Sequence, residues 1–217
     1  MTLQIVWINF IHKYESSHKE KTCLTSEYLN FHLLLLLRGK PKITKINNIA
    51  NRGDYQFFKD YYLPLRTAIK GLFIHKRHIS YLFDVARKQK ESSKKINFEK
   101  VAGNFKDWQS GKNITAYAPP KGYYNYQQTS INCNPELNVV VNGMPTLVKL
   151  HFNASDKMTQ ERANIICYIM SNVINDKKFN YSVLDLSTGK EYFFNGNYEK
   201  MTVKIQDEIQ IIQQYWS

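Results

Sequence analysis

Seven basic residues fall close together in the chain: Lys76, Arg77, Arg87, Lys88, Lys90, Lys94 and Lys95. Their chemistry is contact with a polyanion. A cation that meets a phosphate releases a condensed counterion, which favours binding whatever the base sequence. From Arg38 to Lys121 there are 19 Lys and Arg against 6 Asp and Glu, so this segment carries more than the whole net charge of +12. Such asymmetry is the footprint of a nucleic-acid-binding face that grips phosphates without sequence preference. An acidic protein partner and a plain solvated lysine-rich surface are the two other readings the charge allows. Tyr117, Tyr123, Tyr124 and Tyr126 follow the basic stretch and offer rings that stack on bases. Rings in such runs also pack on sheet faces.

Other chemistries find little support. There is no Gly-rich phosphate loop, HExxH, GxSxG or kinase signature. His75 and His78 share a helical face, but no further ligand stands near them, so no metal site is expected. Cys23, Cys133 and Cys167 stand singly, without a CxxC pair, and read as inert thiols of a reducing cytosol. No cofactor is expected.

Of the 217 residues, 43% are hydrophobic and 22% charged, the balance of a folded chain with a pI near 9.5. The apolar patch within Met1–Phe10 has no basic residue before it and no small-residue cleavage site after it, so it does not read as a signal peptide. The apolar run Phe31–Leu37 is far shorter than the ~20 residues of a membrane span. These features predict a cytoplasmic protein with no membrane partner.

The elements that must position these residues follow from periodicity. A helix is predicted from Thr25 or Ser26 through the leucines, stopping before Gly39 and Pro41. Residues Lys40 to Asp54 read as a polar connection. Tyr55 to Tyr62 and the segment after Pro64 read as helices, the latter burying Leu65, Ile69, Leu72 and Phe73. Ile79, Leu82, Phe83 and Ala86 repeat the pattern. Lys88 to Lys95 reads as a charged connector, with Asn97 capping a helix that buries Phe98, Val101, Ala102, Phe105 and Trp108.

After Gly111 the period becomes that of strands. Asn142-Gly143 is a strong hairpin signal between Leu137–Val141 and Thr146–Phe152. On the returning strand Leu147, Lys149 and His151 share one face, and Val148, Leu150 and Phe152 the other. Gly122 to Gln128 reads as a strand edge or a loop. Ser155 or Thr159 caps a long helix, a second hairpin spans Tyr181 to Phe194, and a final helix runs from about Lys200. The fold class predicted is α+β: a helical N-terminal half (1–111, basic) packed on a mostly antiparallel sheet flanked by helices (112–217), forming one unit.

One local arrangement resembles a known enzyme core. Asn134-Pro135-Glu136 opens a strand pair that closes on Leu147-Val148-Lys149. An acid at the start of one strand and a lysine on the next, with a helix before and a helix after, is similar to the PD-(D/E)XK nucleases. The resemblance implies catalytic roles for Glu136, Lys149 and, from the preceding helix, Glu99. In a nuclease of that type the carboxylates hold Mg²⁺ and the lysine positions or activates the attacking water. Leu147 stands where the family has its second carboxylate. The likeness is therefore to a degenerate relative that binds without cutting, a metal-dependent nuclease being the alternative. The layout of 53–69 with 134–152 also resembles a family of bacterial proteins of unassigned activity. That family carries a Pro-Leu-Arg segment (here Pro64-Leu65-Arg66) and an Asn-Pro-Glu-Leu … Leu-Val-Lys-Leu strand pair. This second likeness implies a bacterial, cytoplasmic source and no particular activity.

Overall fold

Asn142 and Gly143 turn the chain with both residues at positive φ (50° and 86°). Asn tolerates this region and Gly meets no steric cost there, which makes the pair suited to a tight hairpin turn. The turn joins β4 (Leu137–Val141) to β5 (Met144–His151), with Val141 opposite Met144 and Leu137 opposite Val148. Asn142 also fastens the neighbouring strand: its N–H donates to Asn113 O, and its Oδ1 accepts from Asn113 N–H (both 2.9 Å).

The structure, a computed structural model, describes residues 39–50 and 60–215. β1 (Ile114–Tyr117) pairs antiparallel with β4, and β5 pairs parallel with β6 (Asn180–Asp185). β7 (Lys190–Phe193) returns antiparallel on β6, giving the sheet order β1-β4-β5-β6-β7. β2 (Gly122–Tyr126) and β3 (Thr129–Cys133) form a separate antiparallel ribbon. The helices are α1 (Gly39–Ala50), α2 (Leu63–Ile74), α3 (Ser80–Arg87), α4 (Ser92–Gln109), α5 (Gln160–Ile174) and α6 (Tyr198–Tyr215). The α+β architecture predicted from periodicity is what the chain adopts, with one parallel strand pair in an otherwise antiparallel sheet.

Alternation along β5 divides the interior in two. Val148, Leu150 and Phe152 join Leu65 and Ile69 of α2, Leu82 of α3 and Phe98 and Phe105 of α4 in one core. Leu147 points the other way, into a core with Ile165 and Cys167 of α5, Ile205 and Ile209 of α6, and Ile131 of the ribbon. The ribbon lies so close on α5 that a Cβ at Gly122 would stand 2.6 Å from Val173, so no larger residue fits there without a shift. α4 is tied to the sheet at its C-terminal end. Trp108 Nε1 donates to Glu191 Oε2 (2.7 Å), and Ser182 Oγ donates to Glu191 Oε1 (2.8 Å).

Several boundaries differ from the sequence reading. The predicted connection 40–54 is helical from Gly39 to Ala50. Pro41 reads as a stop, but it sits in the first turn, where its missing N–H costs nothing. Ile46 is then buried in the α5–α6 core, and Lys42 pairs with Glu208 of α6. The helix expected at Asn97 starts at Ser92, which removes Lys94 and Lys95 from the connector and puts them in a helical first turn. Of the two readings of Gly122 to Gln128, the strand is the one that forms, over Gly122–Tyr126. Thr159, by contrast, caps α5 as expected, its hydroxyl accepting from Arg162 N–H (3.3 Å). The predicted helix through the leucines lies outside the described residues, as does most of the one from Tyr55. No helix among the described residues is long and apolar enough to cross a membrane.

Candidate functional site

α2 carries two stripes. Leu65, Ala68, Ile69 and Leu72 are buried against α3, α4 and the sheet. Leu63, Arg66, Thr67 and Lys70, at the same helical spacing, line a cleft of about 400 Å³ instead. The opposite wall is the ribbon and the segment before it, including Lys121, Ile131 and Cys133. Its floor is the buried core itself, with Ile165, Ile169 and Met170 of α5 and Val183 of β6 beneath it. Glu136, Lys149 and His151 close the end where β4 starts and β5 finishes.

The resemblance groups Glu136 with Lys149, and the structure places the two in contact. Lys149 Nζ donates to Glu136 Oε1 (2.9 Å), Asn134 O (3.1 Å) and Asn134 Oδ1 (3.2 Å). An ammonium has three N–H donors, so these partners saturate it. Glu136 is nine-tenths buried, and its second oxygen accepts from Leu150 N–H (2.8 Å). Arg66 joins the pair from α2. Its Nε lies 3.8 Å from Glu136 Oε1 and its Nη1 donates to Asp60 Oδ2 (2.6 Å). Acid and base alternate from Asp60 through Arg66 and Glu136 to Lys149.

This arrangement does not suit Mg²⁺. Leu147 is fully buried in the α5 core and offers no oxygen. Both Glu136 oxygens are engaged, and Arg66 already stands as the cation between the two carboxylates. Mg²⁺ demands near-ideal octahedral oxygen geometry and sheds water reluctantly, so one occupied carboxylate is a poor anchor. No group of three His, Cys, Asp or Glu among the described residues is placed to hold a metal ion. Glu99, the third residue of the nuclease reading, does not line the cleft. It follows Phe98 on α4, on the far side of an aromatic stack.

That stack organises the mouth of the cleft. Tyr62 lies between Phe98 (5.9 Å) and Phe152 (5.2 Å), nearly parallel to both, and Arg66 sits over the Phe152 ring at 5.2 Å. Burial, then the neighbouring Tyr61, raises the Tyr62 phenol above its ordinary pKa. The Cys133 thiol in the opposite wall is pushed up to about 11. Burial is the main cause; Lys149 opposes it and Glu136 adds to it.

The predicted phosphate-binding residues fall into two groups. Phe73 touches Phe105, and Tyr62 touches Phe98, so α2 and α4 run parallel. Lys76 and Arg77 follow the C-terminal end of α2, roughly 18 Å from its start at 1.5 Å per residue. There Arg77 lies over Tyr81 at 4.2 Å. Arg87, Lys88, Lys90, Lys94 and Lys95 cluster where α3 passes into α4, at the same end as the cleft. Lys94 lies over Tyr61 (4.9 Å) and Phe98 (5.4 Å), and Tyr61 touches Tyr62 at 4.7 Å.

Arg66, Lys70 and Lys121 were not singled out as site residues from the sequence. A signal existed: Arg66 and Lys70 share a helical face four residues apart, on the side away from the leucines. Of the tyrosines, Tyr124 is buried and Tyr126 half-buried, whereas Tyr117 and Tyr123 are 59% and 55% exposed. No family model, curated protein or solved structure compared with the chain matches it.

Proposed function

We propose that the chain binds nucleic acid through its phosphates, on a PD-(D/E)XK-like core that does not cut. The observation that carries this reading is the adjacency of two basic features. Arg66, Lys70, Lys121 and Lys149 converge on one cleft, and through Tyr62 and Tyr61 its mouth adjoins Lys94 and the basic α3–α4 turn. A continuous cationic track of this kind fits a phosphodiester backbone better than an isolated anion. The order α4, β1, β4, β5, α5, β6 supports the nuclease-like core, and the saturated Glu136–Lys149 pair supports its silence.

Binding of labelled DNA and RNA at low and rising salt tests the reading. Replacing Arg87, Lys88 and Lys90 by Gln weakens binding to all sequences alike, and the salt slope falls by about one unit per lost contact. Absence of binding at low salt by the unmodified protein sinks the proposal. With Mg²⁺ or Mn²⁺ the expected result is no cleavage. Cleavage that disappears in both Glu136→Ala and Lys149→Ala, with folding intact, would show that the site is catalytic after all.

A further inference from the structure

We infer that the outward face of α4 is the two-fold interface of a homodimer, which sets two basic α3–α4 turns one duplex repeat apart. The interface stands on α4 alone, and its bearing on duplex rests on the nucleic-acid reading above.

The first observation is an outward stripe that the fold itself does not use. At ~100° per residue, Ile96, Lys100, Gly103 and Asp107 fall within about 60° of one another, opposite the buried Phe98 and Phe105. Ile96 is 64% exposed. Lys100 and Asp107 are exposed, and neither has an ion-pair partner among the described residues. Gly103 stands mid-helix, where only proline is less favourable than glycine. A Cβ there would meet nothing within 4 Å, so no neighbour within the chain requires the position to be small. A second helix whose backbone comes close does require it.

The second observation is that the charges of this face pair with themselves when reversed. When two copies of α4 cross antiparallel at Gly103, residues before the crossing in one copy lie against residues after it in the other. Lys100 then faces the partner's Asp107 on one flank, and Glu99 faces the partner's Lys106 on the other. The two-fold axis repeats both contacts, as an isologous interface demands. A parallel pair in register would set Lys100 against the partner's Lys100, like on like. The same balance disfavours a phosphate backbone on this face, because Glu99 and Asp107 repel it.

The third observation is spacing. Ser92 opens α4, 11 positions before Gly103. In the antiparallel pair the two α3–α4 turns therefore stand roughly 33 Å apart along the helices, at ~1.5 Å per residue. Rotation about the axis keeps both on one side of the dimer. One turn of B-form duplex is about 34–36 Å, the separation at which two-fold proteins meet successive faces of the duplex.

Sedimentation of the full chain over rising concentration, alone and with a duplex of two helical turns, tests the inference. The expected species is a reversible dimer that binds the duplex cooperatively, with protected phosphates one turn apart. Lys100→Asp sets an acid against the partner's Asp107 and should weaken the dimer at least about tenfold, since the axis counts the change twice. Lys100→Asp with Asp107→Lys exchanges the two charges and should restore it. Gly103→Gln blocks the close approach and should abolish the dimer while raising the monomer's melting temperature, the opposite of a folding defect. A chain that stays monomeric with and without duplex would overturn the inference. A dimer that neither Lys100→Asp nor Gly103→Gln weakens would overturn this face as its interface. Duplex binding by a monomer, equally tight in every variant, would overturn the interface and leave the nucleic-acid reading intact. A dimer that responds to both variants but binds no duplex at low salt would uphold the interface and overturn only that reading.

Discussion

The α3–α4 turn and the cleft are both basic, but they are built differently. In the turn the cations come from one short stretch of chain. Arg87 pairs with Asp84 in the open, both side chains about half exposed, and Lys88 and Lys90 extend into solvent. In the cleft they come from α2, β5 and the segment before β2. Two are paired with carboxylates, Arg66 with part-buried Asp60 and Lys149 with buried Glu136, and two have no such partner. Density of charge along the chain marks a surface. Convergence of charge from separate elements marks a site.

The largest effect expected from this difference is on stability. Glu136→Ala leaves the Leu150 N–H without its acceptor and Lys149 and Arg66 without their shared carboxylate. Breaking a fully buried pair costs 3–5 kcal/mol, and the part-exposed lysine reduces that here to about 2–3 kcal/mol. Glu136→Gln keeps an acceptor for Leu150 and should recover about half. Arg87→Gln should change stability by less than about 0.5 kcal/mol. Urea unfolding measures all three, and equal losses at the two sites would erase the contrast.

A smaller effect concerns affinity within the seven predicted basic residues. Lys88→Gln with Lys90→Gln should lower the salt slope by about two units. Lys76→Gln with Arg77→Gln, at the far end of the bundle, should leave it unchanged. A loss in the second pair as large as in the first would mean that the interface runs along α3 rather than toward the cleft.

The smallest effect is alkaline. Cys133 has an ordinary value near 9.0 and is held up to about 11 by burial. Between those values the unfolded chain gives up a proton that the folded one keeps. This thiol's contribution is therefore complete below about pH 9 and declines as pH rises toward 11. Tyr124, raised to about 12, extends the decline. Melting temperatures from pH 8 to 11 should fall less steeply in Cys133→Ser than in the parent, whereas Lys88→Gln should leave the slope unaltered.

The elements legible in the sequence were those governed by local rules. Asn142-Gly143 fixed a hairpin because few other pairs accept positive φ twice. Thr146–Phe152 revealed its two faces because a strand has period two. Thr159 marked a helix start through its own hydroxyl. What stayed hidden depended on distant partners. α1 looked like a connection because its buried Lys42 and Ile46 owe their burial to α5 and α6. Glu136 and Lys149 were paired in advance because a hairpin brings them together. Arg66 is legible in the sequence only as part of the Pro-Leu-Arg segment, because nothing local shows that α2 brings it to Glu136. Glu99 was assigned to the site by likeness, but Phe98, Tyr62 and Phe152 fill the space between α4 and the cleft.

The parallel β5–β6 pair has a consequence for the order in which the chain folds. The β4–β5 hairpin closes locally, on the microsecond scale of hairpins. β6 pairs with β5 only after segment 152–179, which contains all of α5, has looped back across the sheet. That closure must be made before its contacts reward it, so β6 joins late. The Glu136–Lys149 clasp can therefore form early in the hairpin, whereas the cleft floor waits for α5 and Val183. During synthesis the clasp would emerge and close well before the floor beneath it exists.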